Sequence, residues 1–322
     1  MPAVLCIDAL SVSFGQRGTN LHAVRGVSLQ VAPRECLGIV GESGSGKTQV
    51  FMAALGLLAD QGFAAGSVRF EGRELLGANR AELNRVRGSK LTMIFQDPMT
   101  SLTPHLKVGV QLAELLVCHA GATWSEAQAA ALRMLERVRV PEAHRRLGQY
   151  PHELSGGLRQ RVMIGMSLMC APSLVVADEP TTALDVTVQA QIIDLLRLIR
   201  AEAGMSMVLI SHDLAVVAGL ADRVLVMYAG RVVESAAAAD LFARARHPYT
   251  AELLKCSPSL TGPILSRLPT LAGQPPLPGE SVAGCAFAPR CPRAAERCRM
   301  ERPVLSDEIC GGSVACHFPL SS

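Results

Sequence analysis

Short runs that are almost entirely apolar occur at three well-separated places in the chain: LGIV at 37–40, SLVVA at 173–177 and MSMVLI at 205–210. Runs of this length without polar alternation are typical of strands covered on both faces, as in a parallel sheet. Glycine-rich or charged residues follow each run. Because ligand sites in α/β proteins lie at the carboxyl edge of the sheet, the pattern predicts an α/β fold with a site at these strand ends.

Other apolar positions follow a helical spacing. Ser125 is placed to cap a helix through EAQAAALRMLERVRV that stops before Pro141. This helix carries Leu132, Leu135 and Val138 on one face. The longer apolar stretch VMIGMSLMCAPSLVVA is interrupted by a proline and is too short to span a membrane. It predicts a helix followed by a buried strand.

The composition is that of a globular protein, with 322 residues, 49% apolar residues and a net charge of +3. The length exceeds that of a usual single domain, so we expect one large domain plus an appendage. The weak net charge gives no support to nucleic-acid binding. The N-terminus, MPAVLCIDAL, lacks the pattern of a secretion signal. We therefore expect a soluble cytoplasmic protein, in which structural disulfides are the least expected use of cysteine.

The first apolar run leads into GESGSGKT, which matches G-x-x-x-x-G-K-[ST] and precedes an apolar helical stretch. Glycines let the backbone curl until several N–H groups point at phosphate oxygens, and the helix N-terminus adds partial positive charge. We expect Lys47 to reach the β- and γ-phosphates and the Thr48 hydroxyl to ligate Mg²⁺. The predicted phosphate site comprises Gly41, Glu42, Ser43, Gly44, Ser45, Gly46, Lys47, Thr48 and Gln49.

Ionisable residues follow the other two runs. Asp178 and Glu179 come at the end of SLVVADEP, and His212 ends MSMVLISHD. Phosphoryl transfer needs mainly positioning and charge neutralisation. Asp178 would hold Mg²⁺, Glu179 would orient and deprotonate the attacking water, and His212 would contact the γ-phosphate.

A second predicted anion site lies more than a hundred residues after the first. Ser155, Gly156 and Gly157 in HELSGGLRQRV precede a segment of helical spacing, so they form a helix N-terminus with open amides. Two such helix starts on one chain mean either that it binds two anions or that one site serves a neighbouring molecule.

In this order the motifs resemble those of the ATP-binding subunit of an ABC transporter, from about residue 4 to residue 250. GESGSGKT resembles the Walker A motif, LSGGLRQR the ABC signature and LVVADEP the Walker B motif. The resemblance identifies Gln96 of FQDP as the Q-loop glutamine, which binds Mg²⁺ and senses the γ-phosphate, and places Asp185 in the D-loop. Phe14 matches the aromatic residue that stacks on adenine, with a plain core phenylalanine as the alternative.

The resemblance implies a P-loop NTPase core at residues 1–250, with a parallel sheet, an N-terminal antiparallel β subdomain and a helical subdomain at about 97–165. It implies an ATPase that uses ATP and Mg²⁺. In this family the signature of one subunit closes over nucleotide held by the P-loop of its partner, which accounts for two anion sites on one chain. The helical subdomain would receive the coupling helix of a permease, an ordinary self-packed insert being the alternative.

The segment after the core, residues 251–322, is rich in proline and predicts an extended, irregular linker over the surface. RHPYTAELL, the proline-rich run and a cysteine cluster are together similar to the C-terminal extension of oligopeptide and dipeptide importer ATPases. Gln49, directly after the P-loop, resembles the residue at that place in the first of the two ATPase subunits in such importers. The implied partners are a second, distinct ATPase subunit, two transmembrane permease subunits and an extracytoplasmic solute-binding protein, with this chain on the cytoplasmic face of the inner membrane.

Five of the ten cysteines fall within residues 285–316. Clustered thiolates with intervening prolines suit a metal or an iron–sulfur cluster. The spacing of Cys285, Cys291, Cys298 and Cys316 matches no common zinc-finger pattern. It resembles the tail of peptide-importer ATPases that bind a [4Fe–4S] cluster, with zinc or unligated thiols as alternatives. Cys310 is spare, and could replace Cys316.

Three other functions stay open at this point. The cargo could be nickel, glutathione or another small solute, because related ATPases serve such importers. The chain could be a soluble ABC-type ATPase acting on nucleic acid or ribosomes, although it has neither tandem cassettes nor a long coiled coil. It could also be a nucleotide-gated module that does not hydrolyse ATP, which the presence of Glu179 and His212 opposes.

Overall fold

The computed structural model describes residues 2–15, 21–97, 101–182, 184–256, 271–276, 280, 282–307 and 312–321. They group into two compact units. The P-loop unit comprises Pro2–Val31, Glu35–Gly77 and Ile210–Ser322, and the helical unit comprises Ala32–Arg34 and Ala78–Leu209. The C-terminal extension thus belongs to the same unit as the predicted phosphate site.

The elements are numbered in chain order. The strands are β1 Leu5–Phe14, β2 Leu21–Val31, β3 Cys36–Val40, β4 Gly62–Phe70, β5 Arg73–Glu74, β6 Leu91–Ile94, β7 Leu174–Asp178, β8 Ser206–Ile210, β9 Arg223–Tyr228, β10 Arg231–Ala237, β11 Ser306–Asp307 and β12 Ser313–Val314. The α-helices are α1 Lys47–Ala54, α2 Arg80–Asn84, α3 Val108–Ala120, α4 Trp124–Arg137, α5 Ala143–Leu147, α6 Gly156–Leu168, α7 Val186–Ala203, α8 Leu214–Leu220, α9 Ala238–Ala243, α10 Pro248–Lys255 and α11 Glu296–Met300. Within the described residues, two 3₁₀ turns cover Pro151–Glu153 and Ala288–Arg290.

The P-loop unit contains an antiparallel sheet with the order β2-β1-β4-β5, which confirms the predicted N-terminal β subdomain. A second set of strands follows the order β11-β12-β10-β9-β3. Within it β3 lies parallel to β9, with Leu37 opposite Arg223. All five residues of β3 are buried, as the apolar run LGIV predicts.

The C-terminal extension is less irregular than its proline content predicts. Its strand β12 pairs with β10, with Val314 opposite Glu234, and β11 pairs with β12. The tail therefore adds two short strands to the edge of a sheet. The predicted proline-rich linker lies largely outside the described residues, at 257–270 and 277–279.

The helical unit has its strands in the order β8-β7-β6, and β6 is parallel to β7 with Leu91 opposite Leu174. All five residues of β7 and of β8 are buried. These strands match the second and third apolar runs. Helices α3 to α6 occupy the predicted helical insert.

The predicted cap of α4 is wrong. Thr123 is the N-cap, and its hydroxyl accepts from the Glu126 backbone N–H at 3.3 Å while Glu126 Oε2 accepts from the Thr123 N–H at 2.9 Å. This capping box places Ser125 inside the first turn. The helix ends at Arg137, before the predicted stop, but Val138 is fully buried as expected.

Among the described helices, none combines the length and the apolar character needed to cross a membrane.

Candidate functional site

The GESGSGKT segment forms a tight loop between β3 and α1. Gly44 and Gly46 have φ angles of 79° and 95°, a region that favours glycine. A Cβ atom on Gly46 would also collide with the carbonyl oxygen of Ala23. The Lys47 ammonium is buried and donates to the carbonyl oxygens of Gly41 at 2.7 Å and Glu42 at 3.0 Å. The loop is thus wrapped around its lysine.

Ser45 provides an independent sign that the loop suits a phosphate. Its hydroxyl oxygen is buried and has no hydrogen-bond partner within the described part of the chain. Buried polar groups in folded proteins are normally paired. A phosphate oxygen would supply the missing partner, so the loop fits the nucleotide that the sequence predicts.

His212 lies beside the strand that leads into the P-loop. The backbone N–H of Ser211 donates to the carbonyl of Ile39 in β3 at 3.1 Å. Asp213, which directly follows His212, caps α8 by accepting from the Ala215 N–H at 2.9 Å. His212 is held between these two anchors and is exposed.

Phe14, the candidate adenine platform, is the last residue of β1. It pairs with Leu21 of β2 on one side and with Gly62 of β4 on the other, and it is half-buried. A half-buried ring at a strand end can present a face to a base.

In the helical unit, Gln96 and Glu179 are in direct contact. Gln96 Nε2 donates to Glu179 Oε2 at 2.9 Å. Glu179 follows β7 with a φ of 47°, which is costly for a residue with a side chain and is found mainly at functional sites. Asp178, the preceding residue, is buried at the end of β7.

Sequence reasoning missed Thr182. Its hydroxyl donates to the same Glu179 oxygen at 2.8 Å. The position of Thr182, three residues after the carboxylate on a turn, was the available signal. Two donors on one oxygen fix the orientation of this carboxylate.

The signature segment begins α6 with unused capping groups. Ser155 is the N-cap residue, but its side chain makes no capping hydrogen bond. Ser155 and Gly156 are exposed, and Gly157 approaches Val188 so closely that a Cβ atom there would lie 2.9 Å from a Val188 methyl carbon. Asp185 caps α7 through the Val188 N–H at 2.9 Å. The helix start presents its amides to the surface, as an anion site for another molecule requires.

Four predicted cysteine ligands, Cys285, Cys291, Cys298 and Cys316, line one cavity in the tail. The nine described cysteines form no disulfide, and Cys310 lies outside the described residues. Among the described residues, no three His, Cys, Asp or Glu side chains form a group that could hold a metal ion as placed.

Burial and nearby backbone N–H groups act in opposite directions on the cysteine thiols. Burial raises the pKa of Cys285, while the backbone N–H groups of Phe287 and Ala288 oppose that rise. The same balance holds for Cys316, where the backbone N–H of Phe318 opposes the rise in pKa. Such N–H donors stabilise thiolate sulfur and tune iron–sulfur clusters.

The HPYT segment is anchored to the sheet by a buried carboxylate. Glu234 of β10 accepts from the backbone N–H groups of Arg246 and His247 at 2.7 and 2.9 Å. Burial lowers the pKa of His247 to about 4, so its ring stays neutral and accepts from the Tyr249 N–H at 3.0 Å. These bonds fix the start of α10.

Sequence reasoning also missed the residues that join this tail to the P-loop. The Tyr249 hydroxyl accepts from the Glu42 backbone N–H at 2.9 Å. Arg290 of the tail donates to the Glu42 carboxylate. No local pattern in the sequence connects residues more than two hundred positions apart.

Comparison with known families places two matches on the chain. The model described as "ABC transporter" matches residues 24–182. The model described as "Oligopeptide/dipeptide transporter, C-terminal region" matches residues 233–298, which include Tyr249 and three of the four cavity cysteines.

Curated relatives match nearly all of the chain. The oligopeptide transport ATP-binding protein OppD of Escherichia coli (strain K12) is 48% identical over 99% of this chain and 94% of its own length. The dipeptide transport ATP-binding protein DppD of the same organism is 45% identical over 99% of this chain and 97% of its own length. Among solved structures, a dimeric post-hydrolysis state of the ATP-binding cassette MJ0796 bound to ADP and Pi is similar, with a TM-score of 0.65 and 26% identity over 73% of this chain and 98% of that one.

Proposed function

Since this chain belongs to the ATP-binding proteins of ABC transporters, we propose that it hydrolyses ATP to power peptide uptake through a membrane permease. The observation that carries the proposal is the similarity to peptide-transport ATP-binding proteins along 99% of the chain. It includes the C-terminal region and not the cassette alone. The same relatives favour a peptide over nickel, glutathione or another small solute as cargo.

The proposed roles come from the motifs, and the contacts within each unit support some of them. The loop amides, Lys47 and the Thr48 hydroxyl hold the phosphates and Mg²⁺, with Phe14 against the adenine. Asp178 and Gln96 complete the Mg²⁺ environment. Glu179, oriented by Gln96 and Thr182, accepts the proton of the attacking water, and His212 contacts the γ-phosphate. These groups position and neutralise charge, which is what phosphoryl transfer requires.

The signature supports a shared catalytic site. Ser155, Gly156 and Gly157 would cover nucleotide bound by the P-loop of a second ATPase subunit, and the partner's signature would cover this chain's nucleotide. The dimeric ADP-bound MJ0796 structure is consistent with this arrangement. In the proposed assembly the second ATPase is a distinct relative, two permease subunits span the membrane and an extracytoplasmic protein delivers the solute. Asp185, at the start of α7, lies in the D-loop of the same interface.

Peptide uptake by the intact cell tests the function. Cells of the source organism that lack this chain should lose accumulation of labelled di- and oligopeptides, and the wild-type chain should restore it. The Lys47→Ala chain should not, because it lacks the phosphate-binding ammonium. Normal peptide uptake alongside lost nickel or glutathione uptake would contradict the peptide cargo and leave the ATPase function standing.

The tail cavity fits an iron–sulfur cluster in its donor chemistry. Four cysteines line it. At three of them, Cys285, Cys291 and Cys316, backbone N–H groups oppose the rise in pKa that burial causes. A [4Fe–4S] cluster is larger than a single ion, so its four thiolates lie farther apart than the ligands of one metal ion. We propose that Cys285, Cys291, Cys298 and Cys316 hold such a cluster. It would supply a structural link between separate parts of the tail, with zinc as the alternative occupant.

Metal analysis of anaerobically purified chain tests this assignment. We expect about four iron and four sulfide per chain. Cys298→Ser should lose most of the iron, because Cys298 is the most buried of the four cavity cysteines. Cys118→Ser, an exposed cysteine on α3, is the matched control and should keep it. Colourless, iron-free wild-type protein would defeat the cluster, and stoichiometric zinc would favour the alternative.

A further inference from the structure

Arg290 is a nearly buried arginine on the short turn between two cavity cysteines. The 3₁₀ turn Ala288–Arg290 follows Cys285 and directly precedes Cys291. Only 4% of the Arg290 side chain is exposed. Its Nε donates to the Ala272 carbonyl at 2.9 Å, and Nη1 donates to the Tyr228 hydroxyl at 3.2 Å. The guanidinium is therefore fixed by the tail and by β9.

The same guanidinium also binds the P-loop, through Glu42. Nη1 and Nη2 of Arg290 donate to the two carboxylate oxygens of Glu42 at 2.7 and 2.9 Å. This is the two-pronged geometry in which arginine binds a carboxylate most strongly and with most directional control. The carboxylate raises the pKa of Arg290 above its ordinary value, so the guanidinium is charged throughout the physiological range.

Glu42 is held at its backbone as well as at its side chain. Its N–H donates to the Tyr249 hydroxyl at 2.9 Å, and Tyr249 is fully buried against Tyr228 and Phe287. Its carbonyl oxygen accepts from the Lys47 ammonium at 3.0 Å. One residue of the phosphate loop thus connects the tail to the lysine that binds phosphate.

A second ion pair in the tail differs from the Arg290–Glu42 pair in its exposure to solvent. Arg297 and Glu301 also form a two-pronged pair, at 2.6 and 3.3 Å, but both side chains are more than half exposed. Exposed pairs contribute little, whereas breaking a buried pair leaves an uncompensated charge. The Arg290–Glu42 pair is closer to the second class, because only 4% of the Arg290 side chain and 25% of the Glu42 side chain are exposed. Breaking it would leave a largely buried guanidinium without its carboxylate.

We propose that Arg290 is a positioning residue for nucleotide binding, which holds the P-loop in its phosphate-binding shape through Glu42. The turn between two of the cavity cysteines then also sets the affinity for ATP. This inference rests on the proposed function, because it assumes that the P-loop binds ATP. It extends that function by making the C-terminal extension part of the ATPase machinery.

Nucleotide binding to the full-length chain, purified anaerobically, tests the proposal. The probe is the non-hydrolysable analogue AMP-PNP with Mg²⁺. We expect Arg290→Ala and Glu42→Ala each to weaken binding about tenfold. The double variant should bind AMP-PNP at most about twofold more weakly than the weaker-binding of the two single variants. Both changes remove the same interaction, so their effects should not add. Arg290→Lys, which keeps the charge but not the fork, should lie between wild type and Arg290→Ala.

Kinetics of the assembled transporter separate positioning from a general structural role. Because Arg290 does not touch the reacting phosphate, Arg290→Ala should raise KM for ATP about tenfold and leave kcat within about twofold. Arg297→Ala is the matched control and should change neither value, since it removes a similar ion pair from the same segment. Iron content and circular dichroism verify that the variants are folded. If Arg290→Ala does not fold, Glu42→Ala and Arg290→Lys carry the same test.

Each result has one meaning. Unchanged affinity in folded Arg290→Ala or Glu42→Ala, additive losses in the double variant, or a fall in kcat at constant KM would overturn the positioning role while the proposed function stands. Lys47→Ala provides the reference for lost binding. Wild-type chain that binds AMP-PNP no better than Lys47→Ala would overturn the proposed function, and this inference with it.

Discussion

Glu179→Gln is expected to leave MgATP bound to the transporter and to lower its hydrolysis by at least about 100-fold. The glutamine keeps an oxygen that can accept from Gln96 and Thr182, as Glu179 Oε2 does at 2.9 and 2.8 Å. It cannot take a proton from water at neutral pH. The variant therefore removes the chemical step and preserves the local hydrogen bonds. Single-turnover phosphate release and AMP-PNP affinity, measured on the assembled complex, separate the two effects.

The control for this change is Glu136→Gln, which alters an exposed carboxylate on α4 of the same unit and should hydrolyse ATP at the wild-type rate. Thr182→Val tests how much the orientation of Glu179 contributes to the rate of hydrolysis. It removes one of the two donors that orient Glu179 but keeps the base, so we expect about a tenfold loss. Turnover of Glu179→Gln within about twofold of wild type would show that another group accepts the proton.

Local motifs predicted much of the candidate site because their chemistry is contiguous in the chain. Lys47 and the glycines of the loop have to be adjacent, since one tight turn must present them all to phosphate. Asp178 is the last residue of a buried strand for a similar reason, because the strand end is what places it. The three apolar runs predicted β3, β7 and β8, since strands that are covered on both faces are almost continuously apolar in sequence.

The remaining features depend on contacts between distant segments, which periodicity does not encode. Arg290 and Glu42 are 248 positions apart, and an arginine in a proline-rich tail resembles any surface arginine. The pairing of β12 with β10 is equally unpredictable from the sequence, because a two-residue strand is too short to show an alternation of apolar and polar residues. The misplaced cap of α4 is a different kind of error. The T-x-x-E pattern at Thr123 is the sequence signal of the observed cap, two residues before Ser125.

Gly156→Asp is expected to fold normally and yet to reduce ATP hydrolysis by the assembled transporter by at least about 100-fold. A Cβ atom on Gly156 would meet nothing closer than a Leu184 methyl carbon at 3.9 Å, so the side chain fits. An acidic residue in the first turn of α6 is also favourable for the helix, by about 0.3–1 kcal/mol. The same charge would repel the phosphates of nucleotide held by the partner ATPase. At about 4 Å and an effective dielectric constant of 20, two like charges cost about 4 kcal/mol.

This variant distinguishes a shared site from a self-contained one. If each chain completes the other's pocket, Gly156→Asp should leave AMP-PNP affinity of the isolated chain unchanged and affect only the assembled pair. Gly156→Asn is the matched control, because it has the same shape without the charge and should lose much less activity. Thermal unfolding of both variants verifies that α6 is intact. Full hydrolysis by the Gly156→Asp complex would contradict the shared site, because a carboxylate at the start of α6 can be harmless only if no phosphate approaches it.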